Sequence, residues 1–260
     1  VSGFAGVVAV VLAQLVAGAA VFTWTTALWS ETKRSYFTLN GFTVTLLFAI
    51  WGWLAASAGV IAGDQAGLWS ARLALVSLVV TAASSVACLA RSWTLGRVLG
   101  IASTLPALGT LGAMAAAGRQ GYALSILQLL AGAAYLGAAY HGLFLGHWYL
   151  TDRALTRVPI RRATAFLLGA TVVEVVAIVA GGFERTESSE AFNPLLTAGA
   201  LAPWIALGMA GVTFMISVLI RAALRGERSS AVQSATGFYY LAVVTAITGE
   251  IAVRTRFFSS

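Results

Sequence analysis

Both histidines of this 260-residue chain fall in one apolar stretch, "YHGLFLGHWYL" (Tyr140 to Leu150), six residues apart. An imidazole can relay a proton, donate to a carbonyl oxygen or ligate a metal. Two carboxylates sit inside other apolar runs, Glu174 in "GATVVEVVAIVAGG" and Glu250 in "VTAITGEIAVRTR". A charged group at mid-membrane costs about 2.5–3.5 kcal/mol on insertion scales, so it faces a bundle interior, a cavity or a partner.

Glu174 follows Arg162 by twelve residues, about 18 Å of helical rise, which predicts a position near the bilayer centre. There it is either a neutral acid bonded to a neighbour or part of a proton or ligand site. His141 lies about 13 Å inward from a span ending near Leu150. A short loop joins the two runs, so antiparallel neighbours are expected, with His141 and Glu174 within one turn of the same depth and acting as a proton relay. The competing reading of His141 is a ring that caps a kinked helix or bonds a backbone carbonyl.

His147, beside Trp148 and Tyr149, belongs to the membrane interface. Six residues turn a helix by about 600°, so the two imidazoles point roughly 120° apart and cannot sandwich one haem. A haem b is expected only if one histidine pairs with a methionine (Met114, Met209 or Met215) or the group is shared with a partner chain. Glu250, one turn before Arg254, reads as half of a surface ion pair near the end of its span. Gln14 and Gln128 are amides of the kind that bond across membrane helices. Asp64, in "AGDQAG", reads as a helix-end residue.

The elements that position these groups follow from composition. The chain is 59% hydrophobic and 10% charged, against about 25% charged in soluble domains. The fold class is therefore all-α: a polytopic integral membrane bundle forming a single transmembrane domain over residues 1–260. About 20 apolar residues cross the hydrocarbon core, and that length predicts eight spans: 3–28, 41–62, 71–90, 97–117, 122–148, 163–182, 197–220 and 231–253. The opening run lacks a basic leader and exceeds the apolar length of a secretory signal, so it is expected to be the first span. No repeat is visible, although eight helices could contain two diverged four-helix halves.

Fifteen of the sixteen basic residues are arginine, concentrated between the apolar runs. That pattern marks basic flanks of a bilayer rather than a nucleic-acid surface. Gaps after spans one, three, five and seven hold eleven of the basic residues, and the other gaps with the C-terminal tail hold Arg72, Arg119, Arg185, Arg254 and Arg256. The richer set is expected in the cytoplasm. Both termini and the loop with Glu184, Glu187 and Glu190 then face outward, in what is expected to be a bacterial cytoplasmic membrane.

Trp24, Trp29, Trp69, Trp93 and Trp148 fall near expected span ends, where amphipathic rings favour the headgroup level. Trp51, Trp53 and Trp204 lie deeper, to pack between helices or flank a ligand. Gly142 and Gly146 suggest a closely packed fifth span. The lone Cys88 allows no internal disulfide, thiolate metal site or CxxC pair. No Walker loop, HExxH or nucleophile elbow occurs, and no metal site is expected.

The reading that unites these features is a subunit of a respiratory or electron-transfer oxidoreductase complex, itself non-catalytic or carrying only a quinone site. His141, Tyr140, Gln128 and Tyr239 would hold the quinone, with Glu174 in the proton path and His147 and Glu250 as secondary candidates. A quinone needs an apolar cleft, a donor to its carbonyl and a proton-relaying carboxylate. Partner subunits would supply metals. The alternatives are a proton-coupled small-solute transporter, with Glu174 as carrier and Trp51 and Trp53 along its path, and a structural or assembly subunit without chemistry of its own.

Overall fold

A computed structural model describes residues 4–57, 59, 65–118, 120–152, 154–183, 201–226 and 230–255. Asp64, Arg119, Arg153, Arg185, Arg228, Arg256 and the three acidic residues of the 184–190 segment lie outside the described residues. Eight helices long and apolar enough to cross a membrane occur in it: α1 (Phe4–Thr26), α2 (Arg34–Ser57), α3 (Gln65–Leu89), α4 (Trp93–Ala115), α5 (Tyr122–Thr151), α6 (Val158–Ala180), α7 (Leu201–Ala223) and α8 (Ser230–Arg254). This is an integral membrane protein in contact with a lipid bilayer. In lipid every backbone polar group must be bonded within the chain, so a spanning segment is helical.

α2, α3, α4, α6 and α8 begin before their expected spans, and α5, α7 and α8 end after theirs, because a helix need not stop where the hydrocarbon does. α2 starts at Arg34 rather than 41, which brings Tyr36 into a helix, buried. The break between α3 and α4 is short. Arg91 adopts a left-handed φ of 65°, and α4 turns back so closely that a Cβ on Gly96 would fall 2.4 Å from Cys88 Sγ.

α1 to α4 form a closed ring of neighbours, α1 on α2, α2 on α3, α3 on α4 and α4 on α1. α5 to α8 form a second ring of the same order, and α1 against α5 joins the two. Small residues permit that joint, since a Cβ on Gly18 would fall 2.9 Å from Gly137 Cα. Between membrane helices such close backbone approach replaces the hydrophobic drive that water supplies elsewhere. Gly142 and Gly146 serve a different neighbour. They admit the Tyr239 ring and the Thr236 side chain of α8.

Three tryptophans depart from expectation. Trp24 is buried in a recess over Gly100 rather than at the headgroups. Trp53 and Trp204 are 72% and 61% exposed, so they face outward instead of packing between helices. Trp51 is buried, and its Nε1 donates to Ala9 O at 2.9 Å.

Candidate functional site

Two centres of buried polar residues lie along α5, one at Gln128 and the other at His141. The first is built on α8, where Glu250 and Arg254 sit one turn apart and Nε donates to Glu250 Oε2 at 2.9 Å. The same guanidinium faces α6 and α5. Its Nη2 lies 3.6 Å from Glu174 Oε1 and donates to Gln128 O at 2.8 Å. All three charged side chains are 1% exposed.

Gln14 of α1 closes the centre from the other ring, its Nε2 reaching Gln128 O and Leu129 O at 3.4 and 3.3 Å. Gly132 makes room, since a Cβ there would lie 2.0 Å from that amide nitrogen and 2.7 Å from Glu250 Oε2. A further amide relay ties the edge together. Gln128 Nε2 donates to Gln120 Oε1 at 2.9 Å, and Gln120 Nε2 donates to Gly181 O at 2.8 Å.

This centre is unbalanced. Two carboxyls share one guanidinium, and Glu174 Oε1 and Oε2, Glu250 Oε1 and Gln14 Oε1 are buried without a hydrogen-bond donor. Buried polar atoms are nearly always bonded, so four such acceptors together mark a place where a proton or a donor group can be taken up.

The second centre is His141, 1% exposed. Nδ1 lies 3.1 Å from the Tyr36 hydroxyl and Nε2 lies 3.1 Å from Thr26 Oγ1. Thr26 spends its only proton on Phe22 O at 2.9 Å, so it must accept from Nε2–H. Tyr36 then donates to Nδ1, and the ring is neutral with both nitrogens committed. Phe22, Trp29 and Tyr36 surround it with ring centroids 6.1–6.4 Å away. The arrangement pins α1, α2 and α5 together.

The shared depth expected for His141 and Glu174 is not found. Glu174 lies beside the Arg254–Gln128 contact, and thirteen residues, about 20 Å of helical rise, separate Gln128 from His141. α6 begins at Val158 and ends at Ala180. Glu174 is therefore about 24 Å from its start and about 9 Å from its end, past the middle of the helix and toward the end opposite the arginine-rich loops. Counting depth from Arg162 hid that offset.

Glu250 and Arg254 do pair, but in the interior. The expected surface ion pair is corrected to a buried one with a third member. Tyr140 stacks on Phe144 at 4.3 Å, and its hydroxyl is buried without a partner. Tyr239 belongs to the opposite core and bonds Thr164 at 2.9 Å. His141, Tyr140, Gln128 and Tyr239 thus do not surround one space. His147 bonds Leu143 O through Nδ1 at 2.9 Å and the Tyr240 hydroxyl through Nε2 at 2.5 Å, so each imidazole nitrogen of the chain already has a partner.

Tyr36 and Thr26 were not singled out by the sequence, and Arg254 entered only as the surface partner of Glu250 and a basic flank. Tyr36 looked like part of a loop. A third polar link, also missed, joins α5, α7 and α8: Tyr135 donates to Thr213 at 2.6 Å, and Thr213 lies 2.6 Å from Thr245. Among the described residues no group of three or more His, Cys, Asp or Glu could hold a metal ion. Compared with protein-family models, curated proteins and solved structures, the chain gives no significant match.

Proposed function

We propose that this protein is a proton-coupled small-solute transporter, with Glu174, Glu250 and Arg254 as its proton-exchanging site. The observation that carries the reading is two buried carboxyls sharing one guanidinium, with three of their four oxygens lacking a donor. With both acids ionised the cluster is one charge negative, and with one protonated it is neutral. Burial strengthens interactions between charges, so one proton changes how tightly α6, α8 and α5 are held together. That coupling of protonation to helix packing is what a proton-driven conformational change requires.

Membership in a redox complex keeps a narrower support. Flat aromatic rings around a histidine make a wall that suits a quinone ring, which would have to replace Tyr36 or Thr26 on His141. A haem would likewise have to displace an existing partner of His141 or His147. The transporter reading needs no such displacement.

Arg254 is buried and leaves the set of flanking charges, so eleven basic flanks oppose four. We place the richer side in the cytoplasm on that basis, with both termini outside.

Infrared difference spectra of the reconstituted protein test the site. Acidification is expected to raise a carboxylic C=O band that Glu174→Gln or Glu250→Gln diminishes, and a trapped pH dye should report proton entry that Glu174→Gln slows. An unchanged carboxyl spectrum in both variants would overturn the proposal. Co-purifying redox subunits and quinol-dependent turnover untouched by Glu174→Gln would favour the redox reading.

A further inference from the structure

The two rings of helices repeat one another. Exchanging α1 with α5, α2 with α6, α3 with α7 and α4 with α8 maps the neighbours of the first ring onto those of the second. The principal contacts that cross between rings obey the same exchange: α4 on α5 swaps with α1 on α8, and α1 on α5 maps onto itself.

Register follows from the self-mapped contact. Gly18 and Gly137, 119 positions apart, touch each other. At the same spacing Phe22 stacks on His141 with centroids 6.1 Å apart. "GAA" recurs at 18–20 and 137–139, and Trp at 29 and 148. Equivalent residues meet one another only where a two-fold axis passes between them.

Burial gives the other registers. Advanced by 123 positions, every one of the eight buried residues of α2 falls on a buried residue of α6. Advanced by 139, all eight of α4 fall on buried residues of α8. For α3 an advance of 136 places seven of nine on buried residues of α7 or on the buried Leu224 after it. One buried stripe would match another at some register by its 3.6-residue period alone. Periodicity does not explain why the contact register, set apart from the burial registers, equates two central-helix carbonyls that each accept from a buried side chain, though from different helices. In the first ring Ala9 O accepts from Trp51 Nε1 at 2.9 Å. Its equivalent, Gln128 O, accepts from Arg254 Nη2 at 2.8 Å. Trp51 itself corresponds to Glu174, Leu111 to Glu250 and Ala115 to Arg254.

We infer that the chain is two copies of one four-helix unit related by a two-fold axis along the membrane normal, and that its charged centre is a single-copy site in the second unit, standing where the first unit keeps an apolar plug of Trp51, Leu111 and Ala115. Each unit crosses the membrane four times, so both share one orientation and the axis is normal to the bilayer, as in parallel transporter repeats. Arg254 acquires two tasks. It supplies the donor that Trp51 supplies to the central helix of its own unit, and it neutralises the acids. It is a positioning residue, and the chain holds one proton site rather than two. What the site does rests on the proton-exchange reading; where it sits and how often it occurs do not.

Spin labels in a Cys88→Ala background test the axis on the full chain. A two-fold requires the distance between positions 79 and 244 to equal that between their equivalents, 215 and 105. Val79, Val244, Met215 and Leu105 are all exposed and tolerate labels. Coincident distance distributions are expected, and resolved ones would overturn the duplication. The second test transplants the plug in one variant, Gln128→Ala with Glu174→Trp, Glu250→Leu and Arg254→Ala. It is expected to elute and unfold like the wild type with its proton-dependent carboxyl band gone, while Arg254→Ala alone is unstable. Aggregation of the transplant despite equal label distances would overturn the equivalence of plug and site. A folded transplant that still exchanged the proton would leave the duplication standing and overturn the proton-exchange reading.

Discussion

The two buried polar centres differ in one respect that decides their roles. In the chain of bonds through His141 each atom has a partner and every group is neutral: Tyr36 donates to Nδ1, Nε2 donates to Thr26, and Thr26 donates to Phe22 O. Around Arg254 the charges do not cancel and four acceptors lack donors. A closed network gains nothing from another proton, whereas an open one changes its net charge and its bonding when a proton arrives. Burial alone, equal at the two centres, does not separate structural from functional polarity. Satisfaction does.

The largest expected break in that contrast is Arg254→Ala. It leaves two buried carboxyls uncompensated and the Gln128 carbonyl without its donor. A loss of about 3–5 kcal/mol is expected, the cost of removing one partner of a buried pair, read as a fall in the unfolding midpoint in bicelles. Glu174→Gln and Glu250→Gln together with Arg254→Met should recover most of it, because a neutral interior needs no counter-ion.

His141→Leu should cost less, about 1–3 kcal/mol, since it strands the buried Tyr36 hydroxyl without a charge. Proton uptake by the folded fraction should match the wild type. A selective loss of uptake at unchanged stability would make His141 functional and erase the contrast.

Tyr36→Phe removes one neutral bond and leaves Nδ1 without its donor. Membrane double-mutant cycles put such a bond at about 0.6 kcal/mol on average, which denaturant titration should resolve with transport unaffected. Smallest is Lys33→Ala. Lys33 pairs with Asp152 at 3.0 Å, but its side chain is 66% exposed, so an effect of about 0–1 kcal/mol that shrinks in salt is expected.

The sequence by itself determined the class and the elements. A run of about 20 apolar residues leaves the backbone no alternative to a helix in lipid, so eight spans were legible without contacts. It also determined that Glu174 needed a reason to be where it is, because an intramembrane carboxyl is costly wherever it points. The partner of that carboxyl came from the tertiary structure alone. In water the buried face of a helix stands out against polar positions, but here lipid-facing and core-facing residues are equally apolar, as exposed Val173 and Val176 beside buried Glu174 illustrate. Rotation and depth are therefore set by where glycines let backbones meet, at Gly18 on Gly137 and at Gly132 under Gln14 and Glu250. Those contacts placed Arg254 between two acids and left His141 about 20 Å away along α5, in a network already complete.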